Sequence, residues 1–225
     1  MRESGFDTTF RFGPFSGAAD EFAPVCLNSL LFRYKTDMEH FAIALNRPRD
    51  AKKWHRRSLA RKTAISRYLW NEKTGMFVDY NWVHGTQSTY HYLSAYYPLW
   101  AGAATQVQAT AMEGKLPLFE TTGGMSVSDV NSGTQWDAPY GWAPTTWFAI
   151  SGLDRNGFHE DAKRLAAKFS STVETHFAQD GTVREKYDVV LPIASVNVQT
   201  GYKSNVIGFG WTNGVYLQLR NLIRK

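Results

Sequence analysis

The chain has a single cysteine, Cys26, in 225 residues. It therefore cannot close an internal disulfide, and cysteine usage carries no information about an oxidising compartment. No apolar run approaches the roughly eighteen residues a bilayer-spanning helix needs, and the first residues lack the charged-then-apolar order of a secretion signal. A membrane is not an expected partner, and the compartment stays open between periplasm and cytoplasm for what reads as a soluble chain. None of the six histidines stands in a His-Glu-x-x-His pair, and the lone cysteine has no metal-ligand company, which argues against a zinc enzyme. Gly-x-Ser-x-Gly and the phosphate-cradling Gly-x-x-x-x-Gly-Lys are missing too, against an α/β-hydrolase and a nucleotide hydrolase. Gly208-Phe209-Gly210 is not a dinucleotide fingerprint, because the third glycine position is Asn213. No cofactor is implied. Strand–helix–strand alternation is absent, so a parallel sheet is not expected, and no Pro-rich or Ser-rich linker marks a domain boundary.

Acids are scarce in one stretch. From Arg47 to Lys62 the chain carries Arg47, Arg49, Lys52, Lys53, Arg56, Arg57, Arg61 and Lys62 against Asp50 alone, and the formal net charge is +5. A nucleic-acid surface can look like this, but no recognised nucleic-acid motif accompanies it, and the stretch reads as the solvated face of an amphipathic helix. Nucleic acid is not an expected partner.

What is present is a core-forming, aromatic-rich chain, 43% hydrophobic and 15% aromatic, enough for one domain or a large part of one. From Pro24 to Asn46 the residues Leu27, Leu30, Leu31, Tyr34, Met38, Phe41, Ala42 and Leu45 recur at helical spacing and predict a helix packed along that stripe. Pro48 opens a second predicted helix to about Asn71, carrying Ala51, Trp54, Ile65, Tyr68 and Leu69. Met76 to Tyr80 reads as a short strand or extended rim. Tyr90 to Gly102 is apolar on several sides, the mark of an inner helix. A short helix over 104–112, another from Pro144 to about Gly152, a striped helix over 157–178 and a last helix from near Trp211 complete the pattern. Gly123-Gly124 with Asn131-Ser132-Gly133 make the segment before Gln135 a loop. The expected class is all-α, with helix pairs joined by loops that carry Gly, Trp and acidic residues.

That loop delivers Gln135-Trp136-Asp137-Ala138-Pro139-Tyr140-Gly141-Trp142-Ala143-Pro144. A pyranose ring presents an apolar C–H face that stacks on an aromatic plane and a rim of hydroxyls that a carboxylate or amide can bind. Both needs are met within ten residues. The segment resembles the second signature of the trehalase family of inverting glycoside hydrolases, Gln-Trp-Asp-x-Pro-x-Gly-Trp-Ala-Pro, at all eight specified positions. Two further matches follow in family order: Glu3-Ser4-Gly5-Phe6-Asp7, and Glu185-Lys186-Tyr187 with Gly208-Phe209-Gly210-Trp211-Thr212-Asn213-Gly214-Val215.

The resemblance implies an (α/α) toroid of six helix pairs, of which residues 1–225 are expected to form the C-terminal portion, a partial barrel within a single domain. It implies a small sugar substrate, trehalose or a related α-glucoside, with Asp7 as general acid and Glu185 as general base. Gly5, Gln135, Trp136, Asp137, Trp142 and Trp211 are the implied substrate-binding residues. The local chemistry agrees: Asp7 follows Gly5 and Phe6, so backbone and an aromatic ring adjoin its carboxyl, and Glu185 lies between two cations, Arg184 and Lys186. Arg11 is a further candidate for substrate, or for a structural ion pair. Three departures stand out. Phe6 replaces the usual Trp before the acid, Cys26 replaces an Asp, and Tyr202 falls where many members carry a substrate-binding Glu, which favours considering another α-linked glucoside. The family's first signature, with its Trp-Asp pair and arginines, has no counterpart, so the chain is expected to need the N-terminal half of that domain and otherwise to self-associate through uncovered helix faces.

Overall fold

A computed structural model describes residues 5–200 and 204–224; Glu3, Ser4 and Tyr202 lie outside them. Among the described residues seven α-helices carry the fold: α1 Val25–Ala44, α2 Pro48–Ala64, α3 Tyr97–Ala101, α4 Gln106–Glu113, α5 Ala143–Arg155, α6 His159–Asp180 and α7 Gly210–Arg224. Helix α1 packs on α2 and α3, α3 on α5, and α5 on α6 and α7. Thus α1, α3, α5 and α7 form an arc, with α2 behind α1 and α6 behind α5 and α7. This is the partial (α/α) barrel expected from the sequence.

Local chemistry sets the helix limits. Pro48 occupies the first turn of α2, Asp50 lies near its N-terminus and Arg61 and Lys62 in its last turn, matching charge to the helix dipole. Helix α4 opens on a capping box in which Thr105 and Gln108 exchange hydrogen bonds. Helix α2 ends earlier than its stripe suggests: a π-turn over Ile65–Leu69 leads into a two-residue ribbon, Trp70–Asn71 with Met76–Phe77. The predicted inner helix begins as a 3-10 turn at Leu93–Tyr96 before α3, and every residue of that turn is buried.

The predicted stripe of α1 faces the core only in part, at Ala42 and, half-buried, at Leu31 and Met38. Val25, Cys26, Ser29, Phe32 and Ala42 are buried, whereas Leu27, Leu30, Tyr34 and Phe41 are 40–60% exposed. Helix α1 is apolar on two sides and sits at one end of the arc, so only the side toward α2 and α3 is covered.

Between α4 and α5, and between α6 and α7, the chain leaves the helices for loops on which the signature residues sit. Tyr140–Trp142 pairs antiparallel with Lys186–Asp188 in the register Tyr140 with Asp188, Gly141 with Tyr187 and Trp142 with Lys186. Gly141 has no room for a side chain: a Cβ there lies 2.5 Å from a Val189 methyl and 2.9 Å from the Met125 carbonyl oxygen. The ribbon therefore joins two of the three sequence motifs directly.

Candidate active site

Phe6, Tyr92, Trp136, Tyr140, Trp142 and Val198 belong to a buried cluster separate from the main helical core. At its centre the indoles of Trp136 and Trp142 stack at 3.7 Å with 10° between planes. The Trp142 indole N–H donates to the Gln135 carbonyl at 2.8 Å, and the Tyr92 hydroxyl donates to the Trp136 carbonyl at 3.0 Å. Phe6 meets Trp136 edge-on at 5.0 Å. The Gln135 amide donates to the Asp7 carbonyl, and the Trp136 amide donates to the Thr8 carbonyl at 3.2 Å. The Asp7 segment is thereby fastened to the signature loop by both backbone and side chain. Gly5, just before it, is exposed and holds φ near +79°, a conformation glycine adopts without strain. Asp7 itself is half-buried.

Glu185 and Lys186 approach the other side of the stack. The Lys186 ammonium is 2.8 Å from Glu185 Oε2 and 4.9 Å from the centre of the Trp142 ring, with its side chain fully buried. A buried ammonium needs compensation, and the carboxylate and the ring face supply it. Arg184, the other neighbouring cation, instead pairs with Asp180, so only one of the two expected cations reaches Glu185. Trp211 donates its indole N–H to the Glu185 carbonyl at 3.3 Å and lies edge-on to Trp142 at 5.8 Å. Of the three indoles it alone is exposed, at 37% against 4% for Trp136 and 1% for Trp142.

A continuous path of contacts thus runs from Asp7 through Gln135, the indole pair and Lys186 to Glu185. Along it, Gln135 Oε1 and Trp136 Nε1 are buried and find no hydrogen-bond partner among the described residues. An unmatched acceptor and an unmatched donor on neighbouring residues are groups that a hydroxyl could satisfy.

Asp137 stands apart from the other expected sugar-binding groups. Its carboxylate is fully buried and accepts from the Phe10 amide at 3.1 Å and from the hydroxyls of Thr9, Ser128, Ser132 and Thr134 at 2.6–3.2 Å. With both oxygens occupied by protein donors, it binds the loop to the Asp7 segment from behind. The hydroxyl-rich run Ser126 to Thr134 was the sequence signal for that role. Arg11 is likewise structural. Its guanidinium grips Asp79 at 2.6 and 2.7 Å and lies 4.3 Å over the Tyr92 ring, while Asp79 also accepts from the Val25 amide that begins α1. Burial opposes the Arg11 charge, but the Asp79 carboxylate outweighs it and holds the guanidinium above its ordinary range. Asp79 went unremarked in the sequence, although an acid within the run Met76 to Tyr80 was its signal.

The trehalase family model matches residues 1–223. The chain belongs to the trehalase family. It is 38% identical to the cytosolic neutral trehalase of Neurospora crassa, covering 96% of this chain and 34% of that protein. A cytosolic neutral trehalase of Saccharomyces cerevisiae is 32% identical over a similar share. The chain therefore spans about a third of the length of the curated relatives it matches. Neutral trehalase Nth1 from Saccharomyces cerevisiae superposes with a TM-score of 0.83 at 30% identity, over 99% of this chain and 41% of that one. A mannosylglycerate hydrolase from Thermus thermophilus, solved with glucose, shares the fold at a TM-score of 0.67 and 20% identity, over 88% of this chain and 47% of that one. Among the described residues no helix is long and apolar enough to cross a membrane.

Proposed function

We propose that this trehalase-family chain contributes the acid–base half of a site that hydrolyses α,α-trehalose to two glucoses with inversion. Asp7 protonates the departing oxygen, and Glu185 activates water on the opposite side of the ring. Inverting enzymes separate such carboxyls by about 6.5–9.5 Å, which leaves room for the water. The observation that carries the reading is the contact path from Asp7 to Glu185, lined by the unmatched Gln135 Oε1 and Trp136 Nε1. In this reading Trp211 offers the exposed ring face for the sugar, Gln135 and Trp136 bind its hydroxyls, and Trp142 and Lys186 support from beneath. Residues 1–225 act as the C-terminal portion of one toroidal domain, and the remainder of a trehalase-type domain completes the site.

The test measures glucose release from trehalose by this chain, alone and joined to the part of the Neurospora relative that it does not match. Asp7→Asn and Glu185→Gln are each expected to lower turnover by on the order of 10²–10⁴-fold. Proton NMR is expected to show one of the two glucoses emerging as the β anomer. Near-parental turnover in both variants sinks the role assignment. Because Phe6 and Tyr202 depart from the family pattern, a panel of other α-glucosides belongs in the same assay; faster turnover of one of them shifts the substrate and leaves the chemistry intact. Sugar binding without hydrolysis in the joined protein marks a non-catalytic member.

A further inference from the structure

The segment Ser195-Val196-Asn197-Val198-Gln199 alternates polar and apolar residues, and the structure uses both sides. Val198 is buried in the aromatic cluster of Trp136 and Trp142, and Val196 packs against the same cluster. Ser195, Asn197 and Gln199 face the other way, as alternate residues of an extended segment do, and line a cavity of about 290 Å³. Asp188, Tyr140, Asn131 and Ile193 complete the part of its wall that matters here. That volume is at the lower end of small-molecule sites, room for one hexose and not for an oligosaccharide.

The chemistry of the wall matches a sugar. The Tyr140 hydroxyl accepts from the Asn197 amide at 3.0 Å, and among the described residues its own proton goes to no partner. Asp188 Oδ1 accepts from the Val190 and Leu191 amides at 2.9 Å, while Oδ2 has no partner among the described residues. The side chains of Ser195, Asn197 and Gln199 are exposed and make no hydrogen bond among the described residues. Ile193, 37% exposed, gives an apolar patch beside them. Free carboxamides, a carboxylate oxygen and a hydroxyl set next to an apolar surface are the pairing that a pyranose, with its hydroxyl rim and C–H face, requires.

The cavity is not the candidate catalytic site, because Asp7, Gln135, Trp136, Glu185 and Trp211 do not line it. It lies one step along the same ribbon. Tyr140 and Asp188 face each other as Trp142 and Lys186 do two residues further on, a displacement of about 7 Å along the strands. We propose that this cavity, framed by Tyr140, Asp188, Asn197 and Gln199, is a second binding site that takes a single neutral hexose. The proposal goes beyond the hydrolytic reading and does not depend on it.

The test is binding of D-glucose to the folded chain, followed by calorimetry and by amide chemical-shift mapping. A solvent-open hexose site of this kind is expected to bind with Kd on the order of 1–10 mM. Shift changes are expected at Tyr140, Asp188 and Asn197. Binding is expected to persist in Asp7→Asn and Glu185→Gln and to weaken at least tenfold in Asn197→Ala with Gln199→Ala. Those two side chains make no hydrogen bond among the described residues, so circular dichroism should show an unchanged fold, and each single change, expected to weaken binding in part, serves as a check if the pair disturbs it. No saturable binding up to about 100 mM glucose, unchanged affinity in the folded double variant, or shift changes confined to Gln135 and Trp136 overturns the proposal. Failure of trehalose hydrolysis leaves it standing.

Discussion

Three buried charges around the indole stack and the Asp7 segment, Asp137, Lys186 and Arg11, are each neutralised differently. Asp137 is held by a ring of neutral donors, Lys186 by one carboxylate and one ring face, and Arg11 by a two-pronged pair with Asp79. The Arg11 pair is the most exacting, since Asp79 also anchors the start of α1. Arg11→Ala strands a buried carboxylate and is expected to cost about 3–5 kcal/mol, read as a lowered urea midpoint with little change in slope. Arg11→Lys recovers only part of this, because an ammonium cannot reproduce the two-pronged geometry. A loss below about 1 kcal/mol for Arg11→Ala shows that the pair is not a structural anchor. At this scale the motifs named residues that are in contact in the fold: Asp7, Gln135, Trp136, Glu185 and Trp211 fall along one path of contacts. The sequence was silent where partners are remote in the chain, as with Arg11 and Asp79, or Asp137 and Thr9. Motif identity also could not separate exposed from buried members, and so Asp137 and Trp142, both buried, read alike with the exposed Trp211.

At the scale of elements, the turn that ends α6 sets the entry of the chain toward Glu185. Asp180 Oδ1 accepts from the Thr182 amide at 2.9 Å and from its hydroxyl at 2.6 Å, Gly181 takes φ near +69°, and Arg184 pairs with the second carboxylate oxygen. The Thr182 hydroxyl and then Arg184 pull the Asp180 carboxyl down to about 2 from an ordinary 3.8. A carboxyl depressed on folding contributes its stabilisation above the ordinary value and loses it as pH falls toward the depressed one. The turn is therefore expected to hold its geometry above pH 3.8 and to loosen progressively toward pH 2. Carbon-detected titration of Asp180 checks this: Thr182→Val should move its midpoint back toward the ordinary value, and an unmoved midpoint refutes the assigned cause. Helices were the most readable elements because proline, glycine and apolar spacing mark them, and the starts of α2, α5 and α7 were so marked. The end of α2 was less readable, since Ile65, Tyr68 and Leu69 continue the helical spacing through the π-turn. The face of α1 was misread because a helix apolar on two sides does not declare which side its neighbours take.

For the whole molecule, an uncovered apolar surface lies at each end of the arc. At the α1 end Leu27, Leu30, Tyr34 and Phe41 are 40–60% exposed, at positions that share one helix face. At the other end Phe177 and Leu217, 53% and 60% exposed, border a cavity of about 500 Å³ between α6 and α7. Apolar patches of this extent drive association when nothing covers them. The basic face of α2 opposes that tendency only weakly at physiological salt, where charges are screened beyond about 8 Å. The chain by itself is therefore expected to self-associate in a concentration-dependent way that persists in high salt, measured by light scattering on a sizing column. Leu27→Glu with Tyr34→Glu should shift it toward monomer, because both side chains are exposed and their loss opens no core cavity. Joining the unmatched part of the Neurospora relative should do the same, by burying the same faces. A chain that remains monomeric at about 100 μM, a concentration at which contacts of micromolar strength are populated, shows that these faces are tolerated in water and removes the argument that the arc needs covering.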